Sequence, residues 1–205
     1  MSDRPKALFR TFAPADFITL ANAAAGTGSL FCCLLYLDEH RDVTLVAAFW
    51  LLPLALLLDL ADGTVARKTG RQSPWGGDLD SLADTVSFGV APAVLAFTLG
   101  MRGIWDALIL VYFVSCGISR LARFNVTADD LAGESGKVAY YEGTPIPTSL
   151  VLVLLLGIAW SQGAVHDALW WGSVKLGPGT FHPLVLCWAL SGSLMVSTRL
   201  RIPKP

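Results

Sequence analysis

The chain has 205 residues, of which 54% are apolar and 15% charged, against about a quarter charged in an ordinary soluble domain. Mean hydropathy is +0.56 and the net charge is -1. This composition excludes a disordered, collagen-like or disulfide-dense chain. It argues against a soluble globular domain and leaves no basic surface for nucleic acid.

A membrane-spanning helix needs about 20 mostly apolar residues. Six stretches reach or approach that length, at 16–37, 43–60, 83–99, 104–121, 146–162 and 182–198. They predict an all-α polytopic membrane protein with six transmembrane helices. Residues 1–15 precede them, with Phe9 and Phe12 among Arg4, Lys6 and Arg10. That segment reads equally as a short interfacial helix or an unstructured basic terminus. In the first span, Ala21/Ala25 and Ala24/Gly28 are small-residue pairs suited to helix packing. The second span is apolar to Leu58 and then turns polar without a break, so its helix is expected to continue past Asp59. The third begins inside an acidic stretch. Residues 129–143 form a loop, open between an ordered connection and a substrate lid. Pro145 and Pro147 fix the start of the fifth span. One membrane domain, 16–198, thus lies between the N-terminal segment 1–15 and a basic tail, 199–205.

Lys and Arg are divided unequally between the two sides. Twelve of the fifteen fall at the N-terminus, after span two, at the end of span four with its loop, and at the C-terminus; Arg41, Arg102 and Lys175 fall opposite. By the positive-inside rule, both termini are expected to be cytoplasmic. The first apolar stretch lacks a signal-peptide cleavage pattern and reads as a retained span. Cys32, Cys33, Cys116 and Cys187 lie in spans without metal-site spacing and read as packing residues. His40, His166 and His182 fall in or beside the outer loops and suggest no role.

Five of the sixteen acids, Asp59, Asp62, Asp78, Asp80 and Asp84, crowd into 26 residues between spans two and three. Asp59 and Asp62 are i, i+3, and Asp80 and Asp84 are i, i+4, so each pair shares a helix face. Carboxylates at membrane depth cost about 2.5–3.5 kcal/mol each. Such an array is tolerated if cations neutralise it, and oxygen ligands favour Mg²⁺, Mn²⁺ or Ca²⁺. Four carboxylates suit two divalent ions able to clamp a diphosphate. Gly63 and Ala66 leave room for a flat base or sugar. Arg67, one turn after Gly63, can pair with phosphate oxygens. Gly76 and Gly77 permit a tight start to the third helix.

The string D-L-A-D-G-T-V-A-R, eight residues, then G-G-D-L-D-S-L-A-D resembles the signature of the CDP-alcohol phosphotransferase family. Asp59, Asp62, Gly63, Ala66, Arg67, Gly76, Asp80 and Asp84 match every fixed position. Asp78 lies outside the signature and reads as a solvated or outlying acid. The resemblance implies a six-helix membrane enzyme, a homodimer, with two Mg²⁺ or Mn²⁺ ions at Asp59, Asp62, Asp80 and Asp84. It implies that Asp84 is the general base and that Asp62, Gly63, Ala66, Arg67 and Gly76 hold the CDP diphosphate. Asn22 joins them as a candidate for nucleotide or phosphate contact, its alternative being a helix-packing hydrogen bond.

Three further segments are similar to the phosphatidylserine synthase branch of that family: residues 81–93, R-L-A-R-F-N-V-T at 120–127, and G-K-V-A-Y-Y-E-G-T-P-I-P-T-S at 136–149. The last two resemble its fungal-type members. The implied substrates are CDP-diacylglycerol and L-serine, met among membrane lipids. Serine's carboxylate needs a cation, and Arg suits bidentate recognition. Arg123, with Arg120 as substitute or phosphate partner, is the candidate, and Phe124 and Asn125 shape the pocket. Sibling acceptors such as inositol or glycerol phosphate, and an archaeal ether-lipid donor, are the alternatives. Aspartate-rich prenyltransferases use two D-x-x-x-D motifs in a longer chain, and a cation transporter would not need Gly63, Ala66 and Arg67 in register.

Overall fold

The structure, a computed structural model, describes residues 12–69, 73–132 and 140–203. The expectation of an interfacial helix falls mostly on residues 1–11, outside the described residues, as does the middle of the suggested lid, 133–139. Six apolar helices carry the fold: α1 (Pro14–Glu39), α2 (Asp42–Thr69), α3 (Gly76–Thr98), α4 (Ile104–Ala132), α5 (Ile146–Ser161) and α6 (Pro183–Val196). The first four are long and apolar enough to cross a membrane, and α5 and α6 are shorter. Helix α2 does run on past Asp59, and α3 starts at Gly76, well before its apolar run. Helix α4 continues beyond 121 because residues 121–132 contain no Gly or Pro to stop it.

The chain is not purely helical. β1 (Tyr140–Glu142) pairs antiparallel with β4 (Arg201–Pro203), and β2 (Val174–Leu176) pairs with β3 (Gly179–Phe181). These three-residue ladders occupy connections, where backbone groups outside a helix still need partners. Thr144 N–H also donates to the Leu194 carbonyl (3.2 Å) and Gly143 N–H to that of Leu200 (2.9 Å). Gly143 is at φ +76°, where a side chain would run into the Met195 carbonyl. The basic tail is therefore tied by backbone pairing to the connection before α5.

Helix α1 buries a stripe at helical spacing: Asp16, Thr19, Asn22, Gly26, Ser29 and Cys33. The stripe packs along α2, where Ser29 Oγ donates to the Ala48 carbonyl (3.0 Å). It also meets α3 closely. A Cβ on Gly26 would lie 2.8 Å from Ser87 Cα, and Ser87 Oγ donates to the Asn22 carbonyl (3.0 Å). Ser87 belongs to the stretch Thr85–Val90, where α3 winds as a π-helix directly after Asp84. Such an insertion shifts the face that follows and is common beside functional sites. Pro92 follows it, where a missing N–H is easily accommodated.

Helix α4 packs on α6, where Gly192 allows contact: its Cβ would lie 3.2 Å from Phe113 Cα. Phe88, Phe113, Trp188, Leu52, Leu95 and Leu156 fill the centre of the core. The outer surface is equally apolar, with Leu57, Val111, Val151, Leu154 and Leu190 exposed on four different helices. A soluble monomer does not show apolar residues on every side. This is the surface of a membrane protein.

At the end opposite the acidic pairs, Arg102 caps α3, its Nε donating to the Phe97 carbonyl (3.1 Å) and Nη2 to that of Thr98 (2.9 Å). There His182, assigned no role from sequence, is buried against fully buried Asp106. Its ring Nδ1 lies 2.6 Å from Asp106 Oδ2, and its backbone N–H donates to Oδ1 (2.8 Å). Asp106 also accepts from the Gly103 N–H (3.0 Å), capping α4. The four cysteines are free; Cys33 and Cys116 are buried, and Cys32 and Cys187 half-buried.

Candidate active site

The last turns of α2, the first turns of α3 and the start of α1 converge at one end of the bundle. One oxygen from each of Asp59, Asp62 and Asp80 lies within 4.8 Å of the others. Asp84, one turn beyond Asp80, is outside that trio. It is buried, and Asn22 Nδ2 donates to its Oδ1 (3.4 Å). Asp62 is buried too and accepts from Thr19 Oγ1 (2.6 Å). Asp78 is exposed in the first turn of α3, where negative charge suits the helix dipole.

Beside the trio lies a cavity of about 260 Å³. Asp62, Gly63, Ala66, Gly76 and Asp80 line it from the signature, joined by Ala15, Asp16, Thr19, Ser73 and Gly77. Gly63 keeps one wall open: a Cβ there would stand 3.7 Å from Arg67 Nη1. Arg67 is exposed, and its Nη2 donates to Thr64 Oγ1 (3.5 Å). A Cβ on Gly76 would stand 3.6 Å from Asp16 Oδ1. Asp16 Oδ2 caps α1 by accepting from the Ala13 N–H (2.7 Å).

Whether these acids suit a cation is a matter of donor chemistry. Carboxylate oxygens are hard ligands, and three of them converge. Asp80 Oδ1 is buried without a hydrogen-bond partner among the described residues, as is Asn22 Oδ1. Buried acceptors in that state are costly unless a cation or donor meets them. The set fits Mg²⁺ or Mn²⁺ and not a soft metal.

The arginine candidates lie on α4. Arg120 is buried, its guanidinium 5.8 Å from the centre of the Phe124 ring. Arg123 Nη1 donates to the Val196 carbonyl at the end of α6 (3.4 Å). Asn125 Oδ1 accepts from Ser81 Oγ on α3 (3.1 Å), so α4 is tied to the helix that carries Asp80 and Asp84. None of Arg120, Arg123, Phe124 and Asn125 lines the cavity beside the trio.

Residues 12–179 match the CDP-alcohol phosphatidyltransferase family. This chain belongs to that family. The CDP-diacylglycerol–serine O-phosphatidyltransferase of Saccharomyces cerevisiae is 41% identical over 201 residues, 97% of this chain and 73% of that protein. The Mycobacterium leprae protein of the same name is 34% identical over 91% of this chain and 57% of its own length. The archaetidylserine synthase of Methanothermobacter thermautotrophicus is 38% identical over 67% of this chain and 54% of its own.

In this CDP-alcohol phosphatidyltransferase, the residues that sequence reading passed over belong mainly to α1. Asp16 and Thr19 line the cavity, and with Asn22 they are three polar residues at i, i+3 and i+6 of an apolar helix. That spacing was the available signal, since polar groups in a lipid-embedded helix face its interior. Asp16 instead resembles an ordinary first-turn acid.

Proposed function

We propose that this protein transfers the phosphatidyl group of CDP-diacylglycerol to the hydroxyl of L-serine, giving phosphatidylserine and CMP. The observation that carries the reading is the convergence of Asp59, Asp62 and Asp80 beside a cavity walled by Gly63, Ala66 and Gly76. The curated relatives named for this reaction support the choice of serine. Asp59, Asp62 and Asp80, with Asp84 beside them, would hold two Mg²⁺ or Mn²⁺ ions. When bound, such ions supply positive charge that neutralises and orients a diphosphate.

The chain's own groups do the rest. Gly63, Ala66 and Gly76 leave space for the nucleotide and Asp62 lines it, whereas Asn22, outside that lining, serves the phosphate side through Asp84. Arg67 swings from Thr64 to the phosphate oxygens. Asp84 accepts the serine hydroxyl proton. The serine oxygen then bonds to the lipid-side phosphorus while the bond to the CMP oxygen breaks, and CMP leaves with that electron pair. A single displacement inverts a chiral phosphorus, and net retention would refute it. Arg123 receives the serine carboxylate, with Arg120 as its substitute or as a phosphate partner, and Phe124 and Asn125 shape that side.

The chain is read as crossing the membrane six times, with both termini and the site on the cytoplasmic face, a reading that the distribution of Lys and Arg supports. The enzyme acts as a homodimer, as the family resemblance implies. Purified protein with CDP-diacylglycerol and labelled serine should form phosphatidylserine and CMP with Mg²⁺ or Mn²⁺ and not in chelator. No product, or equal CMP release with inositol or glycerol phosphate, would remove serine as the acceptor. The relation to an archaetidylserine synthase favours a second reading, an ether-lipid donor. Comparing CDP-linked diacyl and diether lipids at matched concentrations separates the two.

A further inference from the structure

Thr19 is buried on α1 and has one hydroxyl proton to give. Its Oγ1 stands 2.6 Å from Asp62 Oδ2 and 3.2 Å from the Ala15 carbonyl oxygen. Both neighbours are acceptors, so only one receives the proton. The longer contact is the ordinary back-bond of a helical threonine. The shorter one reaches another helix and ends on a carboxylate, and charge-assisted hydrogen bonds have that length. Without the proton between them, two oxygens would face each other at 2.6 Å by their lone pairs.

We propose that Thr19 is a positioning residue that holds the Asp62 carboxylate in place for cation binding, an inference that rests on the metal reading above. Its hydroxyl occupies one lone pair of Oδ2 and leaves the others to a cation. Groups that orient a ligating carboxylate from behind typically govern metal affinity by about 10–100-fold. The support is rigid, as positioning requires. Asp16 caps the start of α1, and Ser87 binds the Asn22 carbonyl one turn after Thr19. Asn22 itself donates to Asp84. Helix α1 thus donates to one acid on α2 and one on α3. Among the described residues, Asp59 and Asp80 have no such side-chain donor.

The test is Mn²⁺ binding to the purified full chain, followed by electron paramagnetic resonance without substrate. Thr19→Ala should weaken binding about 10-fold, and Thr19→Ser should stay within about 3-fold of the parent. Thr19→Cys replaces the hydroxyl by a somewhat larger thiol that donates weakly, and should bind Mn²⁺ less tightly than Thr19→Ser even if the alanine variant does not fold. Equal binding by the serine and cysteine variants, or parental binding by Thr19→Ala, would overturn the proposal. Asp62→Asn is the control. If it loses Mn²⁺ while Thr19→Ala keeps it, only the positioning role fails. If it binds Mn²⁺ like the parent, the metal reading fails and takes this inference with it.

Discussion

At the scale of single residues, the four signature aspartates are not equivalent. Asp62 and Asp84 are buried and each accepts a hydrogen bond from α1, whereas Asp59 and Asp80 are half-buried. Asp84 also stands outside the converging trio. In the proposed reaction Asp84 is the base, and its bond to Asn22 orients it outside the trio. Asp84→Asn is therefore expected to lower turnover about 10²–10⁴-fold with CDP-lipid binding largely retained. Loss of binding, measured by titration with CDP-diacylglycerol, would make Asp84 chiefly a ligand. Arg123→Ala should raise the serine KM far more than the CDP-lipid KM. Equal shifts would point to its bond with the Val196 carbonyl as its whole function.

At the scale of elements, the site depends on how closely α1 approaches α3. Gly26 faces Ser87, whose hydroxyl and Cα would both stand closer than 3.0 Å to a Cβ there, and Ser87 sits inside the π-helical stretch after Asp84. Gly26→Ala should cost about 1–3 kcal/mol of stability, as overpacking does. Gly28 faces only the end of the Leu51 side chain at 3.3 Å, which can rotate away. Gly28→Ala should accordingly cost less than Gly26→Ala in thermal unfolding. Because Gly26→Ala pushes Ser87 away from α1 and so from the Asn22 carbonyl, it should also reduce turnover more than Gly28→Ala does.

At the scale of the whole molecule, the two ends of the bundle do different work. One end gathers the acids and the cavity. The other is fastened by the Asp106–His182 pair, which joins the start of α4 to the segment leading into α6. His182→Ala leaves a buried carboxylate short of a partner, and should lower stability by about 1–3 kcal/mol. KM for both substrates should stay near the parental values, since the pair lies at the far end. The orientation of the bundle is tested by labelling. In a cysteine-free background, Lys68→Cys should react with an impermeant reagent only from the cytoplasmic side, and Lys175→Cys only from the opposite one. The reverse pattern would invert the topology.

By itself the sequence determined the helices, since runs of apolar residues report directly on what lipid requires of a backbone. It also determined the acidic face of α2 and of α3, because helical spacing of three and four is fixed by backbone geometry. What it did not determine was anything set by contacts between helices. The pairing of Asp106 with His182 spans 76 residues, and that of Thr19 with Asp62 spans 43. No local pattern links such positions. The π-helical turn and the Gly26–Ser87 approach are likewise consequences of packing. Only the tertiary structure decided which three of the four signature aspartates converge and that Asp84, bonded to Asn22, lies outside them. A carboxylate's environment depends on its neighbours in space, and those come from other helices.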